Sequence, residues 1–469
     1  MSSAQKFGLH DDIAAIATPL VASALAVIRT SGEGSIARVA GVFSRPAKLT
    51  AAAGGTAVHG WITGEDRVRV DEVVILVWRA PASFTGEDAV EIFCHGGVAV
   101  VQAVYKLLLQ AGFREARRGE FTLRSFLAGK VDLTQAEATA EIIAGKTREE
   151  ALMAASRLGG ALSERVEGVR RLVVDTLAAV EVEVEYPEDE ANFAGTLDLA
   201  PLEEARSALE ELSSSWKVAR LYQEGVRVVL CGKTNAGKSS LFNALLKEQR
   251  AITSEQAGTT RDWLEAWADF AGLPVRLFDT AGLREAHEAV EAEGVARTKS
   301  LLPSADVVVY VADLAAGVEE ADVHLMHQVR DKGIPVVLAA NKCDIARAAS
   351  LQVARASLQG EAWDDAAVLS AKTGAGVESL VDKVKALALG GHSGERGAAR
   401  LGSERQRLCI DEAAAAIAHA IEVAQTGALG LDAVVQDLED ALSSLSAITG
   451  ETTTDDILDN IFSRFCVGK

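Results

Sequence analysis

The sequence predicts a multi-domain protein of the α/β and α classes, with an N-terminal α+β domain, a helical domain, and a doubly wound, mainly parallel α/β module inserted into the helical one. Three observations predict it. A chain of 469 residues exceeds what one ordinary core organises. The hydrophobic texture changes three times along its length. A strand–GxxxxGKS–helix signature opens a stretch in which strands and helices alternate.

From Ile13 to about Arg118, short β-rich runs (IAAIA, ALAVIR, DEVVILVW, AVEIF) are broken by Gly and Pro, with a helix near Val98–Leu109. This is the α+β domain, residues 1–119. Long Ala- and Glu-rich helical periodicity fills 120–224 and is interrupted at Tyr186–Pro187. From Val226 the strands VRVVL, PVRLF, ADVVVYV, IPVVLAA and AAVLS alternate with helices, which gives the parallel module at 225–389. After the loose GGHSGERGAARLGSE, helical texture resumes at Arg405 and completes the helical domain over 390–469. The two ends of a compact α/β module lie close together, so inserting one costs the host domain little.

Composition excludes several classes. Hydrophobic residues at 49% and charged residues at 24% fit a folded, water-soluble chain. A formal charge of −20 excludes nucleic-acid binding by overall charge, so such a partner needs a local basic patch. The densest basic stretch is Arg114, Arg117, Arg118, Arg124 and Lys130; pairing with Glu115 and Glu120 along a helix surface is the alternative. Five cysteines without CxxC spacing fit a reducing compartment and give no metal signal. No signal peptide opens the chain, and no run reaches the ~18 apolar residues of a membrane span. A cytoplasmic location and no membrane partner are expected.

Directly after VRVVLC comes Gly232-Lys233-Thr234-Asn235-Ala236-Gly237-Lys238-Ser239, followed by Ser240. Its glycines let backbone N–H groups turn inward on a phosphate chain, and the helix that follows adds its positive end. Lys238 is expected at the β- and γ-phosphates, and the Ser239 hydroxyl on Mg²⁺. Asn341-Lys342-Cys343-Asp344, at the end of IPVVLAA, separates GTP from ATP: one carboxylate pairs with guanine's ring N–H and amine, a donor pair adenine lacks. Ser370-Ala371-Lys372 follows AAVL and is expected to offer an amide to the guanine carbonyl. Asp279-Thr280-Ala281-Gly282 would hold Mg²⁺ through water at Asp279 and meet the γ-phosphate at Gly282. Thr260, within Gly258-Thr259-Thr260, is the second hydroxyl for Mg²⁺. No Gln follows Gly282 to orient water; Arg261, Arg284, Glu285, Glu288, Glu291 and Glu293 are the charged groups nearby in sequence.

Further segments carry a resemblance over nearly the whole chain. They are Ala82-Ser83-Phe84-Thr85-Gly86-Glu87-Asp88, Cys94-His95-Gly96-Gly97, Arg118-Gly119-Glu120-Phe121-Thr122, Lys130-Val131-Asp132-Leu133-Thr134-Gln135-Ala136-Glu137 and the tail Phe465-Cys466-Val467-Gly468-Lys469. With the nucleotide motifs, these resemble the MnmE (TrmE) family of tRNA-modifying GTPases. The resemblance implies work with the flavoprotein MnmG on C5 of the tRNA wobble uridine. It implies a homodimer through a folate-binding N-terminal domain, with nucleotide domains meeting in the GTP state. It places a one-carbon folate such as 5-formyltetrahydrofolate at Arg29, Glu91, Lys130 and Lys469. It places K⁺ at Asn235, Ser254, Gln256 and Thr259 in the role of an arginine finger, and makes Glu291 the residue that orients water. Cys466 gains a possible role in the modification. The family's glycine-rich turn is absent after Ala17-Thr18-Pro19, where Leu20-Val21-Ala22-Ser23 stand. The nucleotide motifs alone equally suit a regulatory GTPase of assembly; the N-terminal segments and the tail favour modification.

Overall fold

The computed structural model describes residues 11–64, 67–185, 197–248, 264–279, 304–314, 316, 318–345, 363–390, 399–426 and 430–469. They form two compact units. The first comprises Met1–Ala140, Arg157–Glu210 and Glu404–Lys469; the second comprises Glu141–Ser156 and Glu211–Ser403.

In the first unit, β1 (Ile13–Ile16), β2 (Leu25–Ser31), β3 (Thr56–Thr63), β4 (Arg69–Trp78), β5 (Ala89–His95) and β6 (Arg114–Glu115) form one sheet in the order β3-β4-β5-β2-β1-β6. Only the β1–β6 pair is parallel. Strand β4 alternates buried and accessible residues, so Val73, Ile75 and Val77 face inward with Val90, Ile92 and Cys94 of β5. The helix Val98–Gln110 covers that face through Val101, Val104 and Leu108, at the spacing one helical stripe requires.

The helices of this unit include stretches from both sides of the nucleotide module. Helices Glu404–Thr426 and Leu431–Thr449 pack on each other, and Ala161–Glu185 packs on the second. Their buried stripes, Ile410, Ala413, Ile417 and Ile421 against Val434, Leu438, Ala441, Leu445 and Ile448, recur every three or four residues. Arg405 closes the bundle's end. Its guanidinium pairs with Glu137 and donates to the carbonyls of Ala447 and Ile448, which the last helical turn leaves without intrahelical partners.

In the second unit, β7 (Val226–Cys231), β8 (Leu264–Phe270), β9 (Leu273–Asp279), β10 (Val307–Asp313), β11 (Val336–Asn341) and β12 (Asp365–Val368) lie in the order β12-β11-β10-β7-β9-β8. All pairs are parallel except β8–β9. Buried clusters occupy both faces, and every residue of β11 is buried, as a central parallel strand demands. Strand β8 departs from the expected parallel alternation because Ala271 and Gly272, at φ 49° and 94°, close a two-residue hairpin between Phe270 and Leu273. Chain order reverses between β10 and β7, so a crevice for ligands opens at the carboxyl ends of those strands. No helix among the described residues is long and apolar enough to cross a membrane.

Candidate nucleotide site and N-terminal cavity

The loop Gly232–Gly237 leaves β7 at this crevice and enters the helix Lys238–Glu248. Two of its glycines are obligatory. At Gly232 (φ 137°) a Cβ would stand 2.1 Å from the Val311 carbonyl oxygen, and at Gly237 (φ 97°) 2.2 Å from Asn341 Nδ2. Asn235, exposed, adopts φ 63°, a left-handed conformation Asn tolerates. Lys238 Nζ donates to the carbonyls of Gly232 and Lys233, both at 2.8 Å. Burial holds its pKa below the ordinary ammonium value against the opposing pull of Asp279 and Cys231. Ser239 Oγ donates to Asp279 Oδ2 at 2.9 Å, so the hydroxyl and the carboxylate stand together at the crevice. Ser240 is exposed on the same helical turn.

Asn341 joins this loop to the second segment. Its buried side chain donates from Nδ2 to the Ala236 carbonyl and accepts from the Ala371 N–H at Oδ1, each at 2.9 Å. Lys342 (φ 66°) sends Nζ to Asp313 Oδ2 at 2.8 Å. Ser370 Oγ donates to Asp344 Oδ1 at 2.7 Å. Asp344 is exposed, so apart from the Ser370 hydroxyl its carboxylate is open to solvent. The Ser370 amide is donated to Ala375, and that of Ala371 to Asn341. Lys372 is exposed beside them. The positions Ser254, Gln256, Thr259, Thr260, Thr280, Ala281, Gly282 and Glu291 lie outside the described residues, as do Arg261, Arg284, Glu285, Glu288 and Glu293.

The N-terminal unit holds a cavity of about 240 Å³ lined by Arg29, Trp78, Phe84, Glu91 and Phe121 among others. Arg29 lies between two rings, with its guanidinium carbon 5.3 Å from the Phe84 centroid and 5.1 Å from that of Phe121. Its Nε pairs with Glu91 at 3.0 Å, and Nη1 donates to the Gly468 carbonyl at 3.2 Å. The chain's tail is thereby stitched to this domain: Arg118 and Val467 form a β-bridge, and Phe121 N–H donates to the main-chain oxygen of Lys469. Burial, then Arg29, hold the Lys469 ammonium below its ordinary value, with Glu91 opposing. Arg29, Glu91 and Lys469 thus come together. Lys130 is exposed and stands near Gly86. The rings of Trp78, Phe84 and Phe121 were not singled out by the sequence, although two of them sit inside the quoted N-terminal segments.

Cysteines divide by setting. Burial, then Asp71, raises the Cys94 thiol to about 11, and burial pushes Cys231 up to about 12. Cys466 is exposed on the tail.

The basic stretch is divided between the interior and the surface. Arg124 is buried at 3% exposure between Glu87 and Glu120, and Arg114 reaches both Glu120 and Asp11. Partners from other segments, as well as the helix neighbour four residues back, take up these charges. Arg117, Arg118 and Lys130 remain exposed.

The comparisons with known proteins cover both units. A family model described as the MnmE helical domain matches residues 133–466, and one described as the GTP-binding protein TrmE N-terminus matches 12–130. A tRNA modification GTPase MnmE of Treponema denticola is 44% identical over 471 residues, 99% of each chain. That of Treponema pallidum is 44% identical over 499 residues, 99% of this chain and 100% of the other. A third, from Borrelia recurrentis, is 37% identical over 466 residues and again 99% of each. Since the models and the relatives together run nearly end to end, the chain belongs to the MnmE (TrmE) family of tRNA modification GTPases.

Proposed function

We propose that this chain hydrolyses GTP and couples the hydrolysis to modification of the tRNA wobble uridine at C5, together with the flavoprotein MnmG and a one-carbon folate. The observation that carries the nucleotide reading is Asn341, whose one side chain lashes the phosphate loop to the segment that would read the base. Triphosphate lies along the Asn235–Ser240 amides with Lys238 as its cation, and guanine pairs with Asp344 beside Ser370, Ala371 and Lys372. The hydroxyl of Ser239 and the carboxylate of Asp279 are hard oxygen donors held 2.9 Å apart, which suits Mg²⁺. That ion, when bound, neutralises charge on the transferring phosphoryl group. Thr260 completes the hydroxyl pair, Thr280, Ala281 and Gly282 sense the γ-phosphate, and Glu291 orients the water.

Asn235, Ser254, Gln256 and Thr259 would hold K⁺, which when bound would supply the positive charge of an arginine finger, with two nucleotide domains meeting within a homodimer. Replacing K⁺ by Na⁺ is then expected to slow turnover at least tenfold, and equal rates in the two salts would remove the ion from the reaction. The N-terminal cavity suits a folate: rings for a flat heterocycle, Glu91 for its N–H edge, and Arg29, Lys130 and Lys469 for its anionic tail. Exposed Arg117, Arg118 and Lys130 offer the phosphate backbone a foothold, and Cys466 is an accessible thiol for the modification. Mass spectrometry of wobble nucleosides from cells lacking this chain is expected to show loss of the C5 substituent. Unchanged nucleosides would leave a regulatory GTPase.

A further inference from the structure

The phosphate loop contains two lysines, and they point to different places. Lys238 Nζ turns inward onto the loop carbonyls. Lys233 Nζ turns outward to two carboxylates, Glu319 Oε1 at 2.6 Å and Asp322 Oδ2 at 3.2 Å. Asp322 is only 6% exposed and is itself fixed: its Oδ1 accepts from Tyr310 OH at 2.6 Å and its Oδ2 from the Glu319 N–H at 2.9 Å. Tyr310 belongs to β10 and pairs in register with Cys231, the residue just before the loop. The same Lys233 presents its main-chain carbonyl to Lys238 Nζ and to the Ala236 N–H. One residue therefore faces both ways, its side chain tied to the helix Glu320–Arg330 region and its carbonyl turned toward the lysine of the GKS motif.

We infer that Lys233 is a positioning residue of the phosphate loop, anchored by Asp322 and Glu319, and not a phosphate ligand. This deepens the nucleotide reading above and rests on it. Lys233 with its two carboxylates sums to one negative charge, so the cluster as a whole has no cationic charge to lend a phosphate. Swinging the ammonium toward the nucleotide would strip a buried carboxylate of its cation, a loss a solvated phosphate contact does not repay. The anchor has a use because the loop includes a left-handed non-glycine residue, Asn235, that adjoining structure must hold in place. Fixing the Lys233 peptide sets where its carbonyl meets Lys238, and hence where that cation stands.

The test is calorimetry of GDP with Mg²⁺ on the full chain. Lys233→Met and Asp322→Asn are each expected to weaken GDP binding about fivefold, and the double variant no further, since both cut one anchor. Lys233→Arg, which keeps the ion pairs, is expected to bind within about twofold of wild type. If Lys233 were a phosphate ligand, Asp322→Asn would release it and tighten binding, and the two losses would not overlap. Tighter binding in Asp322→Asn, multiplying losses, unaltered binding in Lys233→Met or failure of Lys233→Arg to restore it each overturns the inference. Should Asp322→Asn fold poorly, Tyr310→Phe serves instead. It is expected to weaken GDP about twofold in the wild-type background and to have no effect in Lys233→Met; equal effects in both backgrounds count against the anchor. A wild-type chain that binds no GDP ends the nucleotide reading itself, whereas normal wild-type binding with an unaltered Lys233→Met variant ends only this one.

Discussion

Exchanging Asp344 for Asn is expected to lower GTP affinity about a thousandfold while leaving the fold intact. The carboxylate sits exposed at the rim, held at Oδ1 by Ser370 Oγ, so its loss creates no cavity and strands no buried charge. What disappears is a two-point pairing with guanine's N–H and amine. Each charge-assisted hydrogen bond contributes about 1.5–3 kcal/mol, and two of them span two to four orders of magnitude in Kd. The Asn amide presents a donor where an acceptor stood, so the variant should gain affinity for a purine that carries a carbonyl in place of the guanine amine. Titration calorimetry with GTP, ATP and XTP reads all three. Wild type should discriminate strongly for GTP, and Asp344→Asn should prefer XTP. A variant that keeps GTP within tenfold would mean that the base is read elsewhere.

The second large effect is on stability. Glu120→Ala should destabilise the N-terminal unit by about 3–5 kcal/mol, the cost of breaking a buried ion network from one side. Glu120 is 1% exposed and accepts from Arg114 at Oε1 (2.7 Å) and Oε2 (3.0 Å), from Arg124 at 2.9 Å and from the Arg117 N–H at 2.8 Å. Removing it leaves the Arg124 guanidinium, equally buried, with Glu87 as its remaining carboxylate. Glu120 opens the helix Glu120–Leu127, and hydrogen exchange of that helix's amides is the direct readout, because it reports local opening and not that of the whole chain. Protection within 1 kcal/mol of wild type would overturn the claim. The pH dependence has a definite sign. Burial alone would raise the Glu120 pKa, but the Arg114 hydrogen bonds, the Arg117 N–H and Arg124 outweigh it and hold the group below its ordinary 4.5. A carboxyl lowered in the folded state contributes stability that is fully present above that ordinary value and is lost as pH falls through the folded one. The gap between wild type and Glu120→Gln should therefore narrow as solutions are acidified below about 4.5.

Much of this was legible in the sequence where the constraint is local. The phosphate loop announces itself because only glycine accommodates the approach of Val311 to Gly232. Strands β7, β9, β10 and β11 are apolar runs because both of their faces are buried. Strands β3 and β8 were not legible. They are edge strands whose accessible positions carry His59, Glu265 and similar residues, and their turns are visible only once the partner strand is known. The same limit governed the basic stretch. Arg114 and Arg124 are cations in the sequence, but their charge is cancelled by partners such as Asp11 and Glu87 that lie far along the chain. Lys233 likewise finds its carboxylates 86 and 89 residues later, at positions 319 and 322, a pairing no spacing rule connects. The helical domain was readable as texture. Its closure around Arg405 was not.

The bond from Arg29 to Gly468 spans 439 residues of chain. An emerging polypeptide can pair β2 with β5 early in synthesis, yet the Gly468 carbonyl that receives the Arg29 guanidinium follows 439 residues after it. Until then Arg29 has its rings and Glu91 but not the Gly468 oxygen, and Phe121 lacks its acceptor from Lys469. Arg29 is therefore held on one side by a residue made early and on the other by one made late, and a nascent chain carries this guanidinium incompletely bonded through most of its synthesis.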